Sequence, residues 1–128
     1  MSRVRAGSLA AAAAATAALA AAAAASPADH RAAAGNHLQV TAVEYRLMLS
    51  EAVVKAGPVS LELIDAGMDP HDLRLRHAGS RAVIAEPQLD AGQRFDGVVD
   101  LVPGVYRLWC SLPQHRQLGM HATLRVVS

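Results

Sequence analysis

Val105-Tyr-Arg-Leu-Trp-Cys110-Ser-Leu-Pro-Gln-His115-Arg-Gln-Leu-Gly-Met120-His-Ala-Thr-Leu-Arg-Val-Val127 reads as two strands joined by a tight loop. Apolar and polar residues alternate on both flanks, which is the pattern of half-buried β-strands. Pro113 cannot continue a strand ladder, and Gly119 permits a sharp bend just before Met120. Residues five apart on a straight strand point to opposite faces, so Cys110 and His115 can meet only across a turn. Thiolate, imidazole and thioether together are a soft donor set, which selects copper over magnesium or calcium.

Working outward, the same texture fills the chain from residue 38 onward. Plausible strands are Leu38 to Thr41, Tyr45 to Leu49, Val59 to Ile64, His71 to Arg76, Ala82 to Ala85, Gln93 to Val99, Val105 to Cys110 and His121 to Val127. Turn signals separate them at Gly57-Pro58, Ala66-Gly67, Gly79-Ser80, Ala91-Gly92 and Pro103-Gly104. One short helical turn is expected near Glu86 to Leu89. About eight short strands at this spacing predict an all-β fold, an antiparallel sandwich or barrel.

The N-terminal part is different. Met-Ser-Arg-Val-Arg gives a basic start, and Ala6 to Ala25 is an Ala-rich apolar run. This reads as a signal peptide over residues 1–25, cut after Ala25 or Ala28. Retention as a membrane anchor is the rival, because the run is nearly long enough to span a bilayer. Residues 26–37 read as a flexible linker, and 38–128 as the single folded domain. Export is the expected location, whether periplasmic, cell-surface or secreted.

An exported chain usually pairs its cysteines. Here Cys110 is alone, so a disulfide within the chain is excluded and a metal becomes an occupant to consider. A trigonal site needs a second imidazole, and His71 follows the turn Gly67-Met68-Asp69-Pro70, where it can reach a loop at the same end of a sandwich. Two His and one Cys in a plane, with a weak distant Met, make the blue-copper arrangement. Met68-Asp-Pro-His71-Asp-Leu, the Cys110-to-Met120 loop and the lead-in Leu101-Val-Pro-Gly-Val-Tyr106 resemble the motifs of the plastocyanin/azurin family of cupredoxins. The resemblance covers about residues 38–127. It implies His71, Cys110 and His115 as equatorial ligands, Met120 as the axial one, one type 1 copper, an eight-stranded Greek-key fold and one-electron Cu(I)/Cu(II) shuttling. Two positions depart from the family. Asp72 stands where Asn is common, and a carboxylate there can still bond Ser111; Gln114 replaces a frequent Gly.

Other residues take blander readings. His121 is the nearest rival to Met120, and strand alternation allows only one of the two to face the metal. His77 lies about 20 Å from His71 along an extended strand and reads as a surface residue. Tyr106 is expected in the core or as a corner hydrogen-bonder, Trp109 as a packing or surface residue, and Met68 as an exposed turn residue. Removing Arg3 and Arg5 leaves ten basic and eleven acidic side chains with no charge run, which argues against nucleic acid. A monomer with no small-molecule substrate and a transient redox partner is expected, and not an enzyme, since Trp109 and Ser111 rather than His flank Cys110. The alternative function is copper storage or delivery.

Overall fold

Alternating apolar and polar side chains shape nine strands over residues 36–128, the part of the chain that this computed structural model describes. In chain order these are β1 (His37–Val43), β2 (Arg46–Leu49), β3 (Val53–Lys55), β4 (Gly57–Asp65), β5 (Arg74–His77), β6 (Ile84–Ala85), β7 (Arg94–Leu101), β8 (Gly104–Trp109) and β9 (His121–Val127). One sheet runs β2-β1-β4-β7 and the other β3-β9-β8-β5-β6. Leu38, Val40 and Ala42 of β1 and Val59, Leu61 and Leu63 of β4 face inward from the first sheet. Leu75 of β5, Tyr106 and Leu108 of β8, and Leu124 and Val126 of β9 meet them from the second, forming one core. Every second residue turns in, as strand pleating requires.

The sandwich expected from sequence is there, with three differences of detail. Both sheets are mixed rather than antiparallel: β1 runs parallel to β4, and β3 parallel to β9. These pairs join strands that are not consecutive, the long connections of a Greek-key layout. Strand β3 went unpredicted because three residues are too few to show a period, and its partner lies some seventy residues away at Arg125 to Val127. No helical turn forms at Glu86 to Leu89. The Glu86 amide donates to the Leu73 carbonyl at 2.9 Å, and Leu89 exchanges two backbone bonds with His71 at 2.8 and 3.0 Å, which holds the segment extended.

His77 is a half-buried clasp rather than a surface residue. Its Nδ1 accepts from the Gly79 amide at 3.0 Å and its Nε2 lies 3.1 Å from the Pro103 carbonyl. Those partners suit the tautomer in which Nδ1 accepts and Nε2 donates. Gly104 beside it has φ +141°, and a Cβ there would stand 2.1 Å from His77 Nε2. Tyr106 is buried, and its hydroxyl accepts from the Val102 amide at 3.1 Å, the corner role expected for it.

The expected leader lies outside the described residues, as does the expected linker apart from its last two positions. Asn36 bridges to Lys55 through both its amide nitrogen and oxygen, at 2.7 and 3.1 Å, and His37 opens β1. Among the described residues no helix is long and apolar enough to cross a membrane.

Candidate metal centre

The inward registers of three adjacent strands run on into the candidate ligands. On β8 the buried sequence Tyr106, Leu108 continues to Cys110; before β9, Met120 holds the inward parity of Leu124 and Val126. Leading into β5, His71 and Leu73 share the parity of Leu75. The Cys110 amide donates to the Met120 carbonyl at 3.1 Å, which closes the loop that carries His115. That loop is a string of tight turns: His115 N to Leu112 O at 3.2 Å, Leu118 N to Gln114 O at 3.0 Å and Gly119 N to Arg116 O at 3.1 Å. Gln114 has φ 68° and Gly119 φ 118°, so the non-glycine residue holds a left-handed conformation that only Gly adopts without cost.

This frame brings three donors together. His71 Nδ1 lies 3.3 Å from His115 Nδ1, and His115 Nδ1 lies 3.6 Å from Cys110 Sγ. All three donor atoms fall within 4.8 Å of one another. A first-row metal with bonds of about 2.0 Å to nitrogen and 2.3 Å to sulfur, at angles of about 110–120°, needs edges of about 3.3–3.5 and 3.5–3.7 Å. The fit is close. His71, Cys110 and Met120 are 0% exposed, whereas His115 is half-buried with an edge toward solvent. With Met120, buried and bonded through its backbone to Cys110 and His115, the three form a candidate type 1 copper site. His121, the rival to Met120, is exposed on the opposite face, and His77 sits in its own clasp away from the group.

The surroundings tie the donors to one another. Asp72 accepts the Ser111 amide at 2.6 Å and the Ser111 hydroxyl, linking the segment of His71 to that of Cys110; Arg74 bonds the same carboxylate at 3.0 Å. Burial raises the Cys110 thiol above its ordinary value, and hydrogen bonds from the amides of Asp72 and Leu112 counter only part of this. A bound cation would reverse that balance and hold the thiolate.

Sequence reasoning missed the tip of the β1–β2 hairpin. Glu44 Oε1 accepts the amides of Asp69 (2.7 Å) and Met68, and these bonds lower its carboxyl from 4.5 to about 2. The same oxygen lies 3.6 Å from His71 Nε2, a buried nitrogen without a hydrogen-bond partner. Gly67 lies beside this pair: a Cβ there would stand 2.5 Å from Glu44 Oε1 and 2.9 Å from His71 Nε2. The next residue, Tyr45, has φ 55° and sets its ring edge against His115, with centroids 5.3 Å apart. Nothing local marks these two residues, because their targets lie 27 and 70 positions further along. The one available signal was a carboxylate and an aromatic adjacent where one predicted strand gives way to the next, and the structure makes Tyr45 part of the turn rather than the first residue of β2.

No protein-family model matches the sequence, and no curated protein matches it. Solved structures do resemble it. Reduced auracyanin from the photosynthetic bacterium Roseiflexus castenholzii superposes with a TM-score of 0.61 at 13% identity, covering 72% of this chain and 97% of its own. Auracyanin B gives 0.60 at 18% identity, covering 72% and 88%. This chain has the cupredoxin fold. An oxidised amicyanin variant adds a TM-score of 0.54 at 18% identity, over 70% and 80% of the two chains. At such identities the cupredoxin frame is what is shared, and the site rests on this chain's own residues.

Proposed function

We propose that the chain is an exported type 1 copper protein that carries single electrons between redox partners, with His71, Cys110 and His115 as equatorial ligands and Met120 as the axial one. The observation that carries this reading is the triangle of His71 Nδ1, His115 Nδ1 and Cys110 Sγ, with edges of 3.3 and 3.6 Å measured from His115. Copper bound there supplies a one-electron Cu(I)/Cu(II) couple. The chain's residues do the rest. His71 and Cys110 come from rigid, buried positions, so little reorganises when charge changes. Asp72 and Glu44 brace the two ligand segments from outside.

His115 alone offers an edge to the outside, through a rim of Met68, Pro70, Pro113, Leu118 and Gly119, all exposed. An apolar rim around the exit suits brief docking, in which weak contacts release as fast as they form. The basic start and Ala-rich run of the first 25 residues support export.

Voltammetry of the copper-loaded protein separates this role from storage or delivery. A carrier gives a reversible one-electron wave and keeps its Cu(I) through repeated cycles in the presence of a Cu(I) chelator. Progressive loss of the wave to the chelator would assign the chain to copper handling instead.

A further inference from the structure

Charge is segregated between the two sheets. The strands β3, β9, β8, β5 and β6 contain Lys55, Arg125, Arg107, Arg74 and Arg76, and no Asp or Glu. The other sheet holds all the strand carboxylates, Glu62, Asp65, Asp96 and Asp100, with only Arg46 and Arg94 as cations, and Arg94 is paired to Glu62 and Asp96. On the outer face of the five-stranded sheet, Arg76 and Arg107 are direct cross-strand partners, and both are exposed. Like charges placed opposite one another destabilise a sheet. Among the described residues, Arg76, Arg107, Arg116 and Arg125 make no salt bridge, whereas Arg74 is already committed to Asp72.

Two of the arginines lie over an aromatic. Trp109, half-buried, has the Arg116 guanidinium 5.1 Å and the Arg76 guanidinium 5.9 Å from its ring centroid. Stacking on the ring holds the guanidinium carbons while leaving their N–H edges free to donate. Beside them a groove of about 560 Å³ is lined by Arg107, Leu108, Arg116, Gln117, His121 and Ala122. Two guanidiniums, which only donate, line it together with Gln117 and His121 and no carboxylate, which suits an incoming carboxylate. Trp and Arg are also the residue types that dominate binding energy at protein interfaces.

We infer that this face, with Arg76 and Arg116 against Trp109 and Arg107 and Arg125 further along β8 and β9, docks an acidic protein partner whose carboxylates enter the groove at Arg107 and His121. A protein is favoured over a nucleic acid because the whole chain carries a formal charge of only +1, so the positive potential is confined to one patch. The inference goes beyond the electron-carrier reading and stands whether or not copper binds.

The test is a titration of isotope-labelled protein with a poly-glutamate peptide, read by NMR in copper-free and Cu(I)-loaded forms. Shifts should cluster at Arg76, Arg107, Arg116, His121 and the Trp109 indole in both forms, and fade with added salt. Arg107→Glu should weaken binding at least about tenfold, since like-charge contacts at an interface cost several kcal/mol. Arg46→Glu, the same charge change on the other sheet, should weaken it much less. Both sites are exposed, and dispersed spectra would confirm that the variants fold. Equal effects of the two substitutions, shifts confined to the loop around His115, or tighter binding of an oligonucleotide of matched charge would each overturn the inference.

Discussion

Replacing Asp72 by Asn removes one charge from the strut between the two ligand segments while leaving its shape. The native carboxylate is 3% exposed by residue and receives the Ser111 amide, the Ser111 hydroxyl and the Arg74 guanidinium. Asn keeps one acceptor oxygen for the Ser111 amide, and the Ser111 hydroxyl can turn to accept from the new NH2. That bond falls from charge-assisted to neutral, a loss of about 1 kcal/mol. Arg74 then faces a donor instead of a carboxylate; with its side chain 29% exposed it can turn to water, for a further loss of about 0.5–1 kcal/mol. The sum is roughly 2 kcal/mol, which for a domain of this size lowers Tm by about 8–16 °C. Thermal unfolding of the copper-free Asp72→Asn protein reads this directly, and an Arg74→Met background should absorb part of the effect, because the two residues share one interaction. In the copper-loaded protein the same change should raise the reduction potential, since a carboxylate near the site favours the more positive oxidation state. An unchanged Tm, or a potential that stays put or falls, would refute the reasoning.

The Glu44 carboxyl has its folded pKa depressed from 4.5 to about 2, so the stability it contributes is complete above pH 4.5 and drains away as pH falls toward 2. Urea unfolding of the copper-free protein across that window should show the decline, and Glu44→Gln should flatten it; parallel curves would count against the assignment. Gln114→Gly relieves a left-handed residue at φ 68°, and after the extra entropy of the unfolded chain the domain should be about 0.5–1 kcal/mol more stable by denaturant melts. Gly104→Ala pushes a methyl against the His77 ring and breaks its bond to the Pro103 carbonyl, so a loss of about 2–3 kcal/mol is expected by the same assay, and a neutral result would show the clasp to be dispensable.

The donors were legible because they crowd into one short loop: Cys110, His115 and Met120 sit five residues apart, and strand parity on either side already sends Cys110 and Met120 inward. The β9 boundaries, His121 to Val127, could be read in full, since Gly119 and the Leu-Val alternation mark both ends. His71 was placed at the right end of the sandwich for a partly wrong reason. It does not open a strand; a single bridge to Leu89 holds it, and the β5 ladder begins at Arg74. Parallel pairing of β1 with β4 was invisible, because alternation reports which face is buried and not which neighbour lies alongside. Glu44, Tyr45 and the His77 clasp were missed for a related reason. Each acts through a contact between segments distant in sequence or through a turn geometry that composition does not encode.

Addition of one equivalent of Cu(II) to the purified protein is the most direct measurement of whether these four side chains form one site. The wild type should develop intense colour from sulfur-to-copper charge transfer and bleach on mild reduction. Cys110→Ser should stay pale while remaining folded. Weak colour in the wild type, or equal colour after Cys110→Ser, would contradict a copper–thiolate centre in this chain.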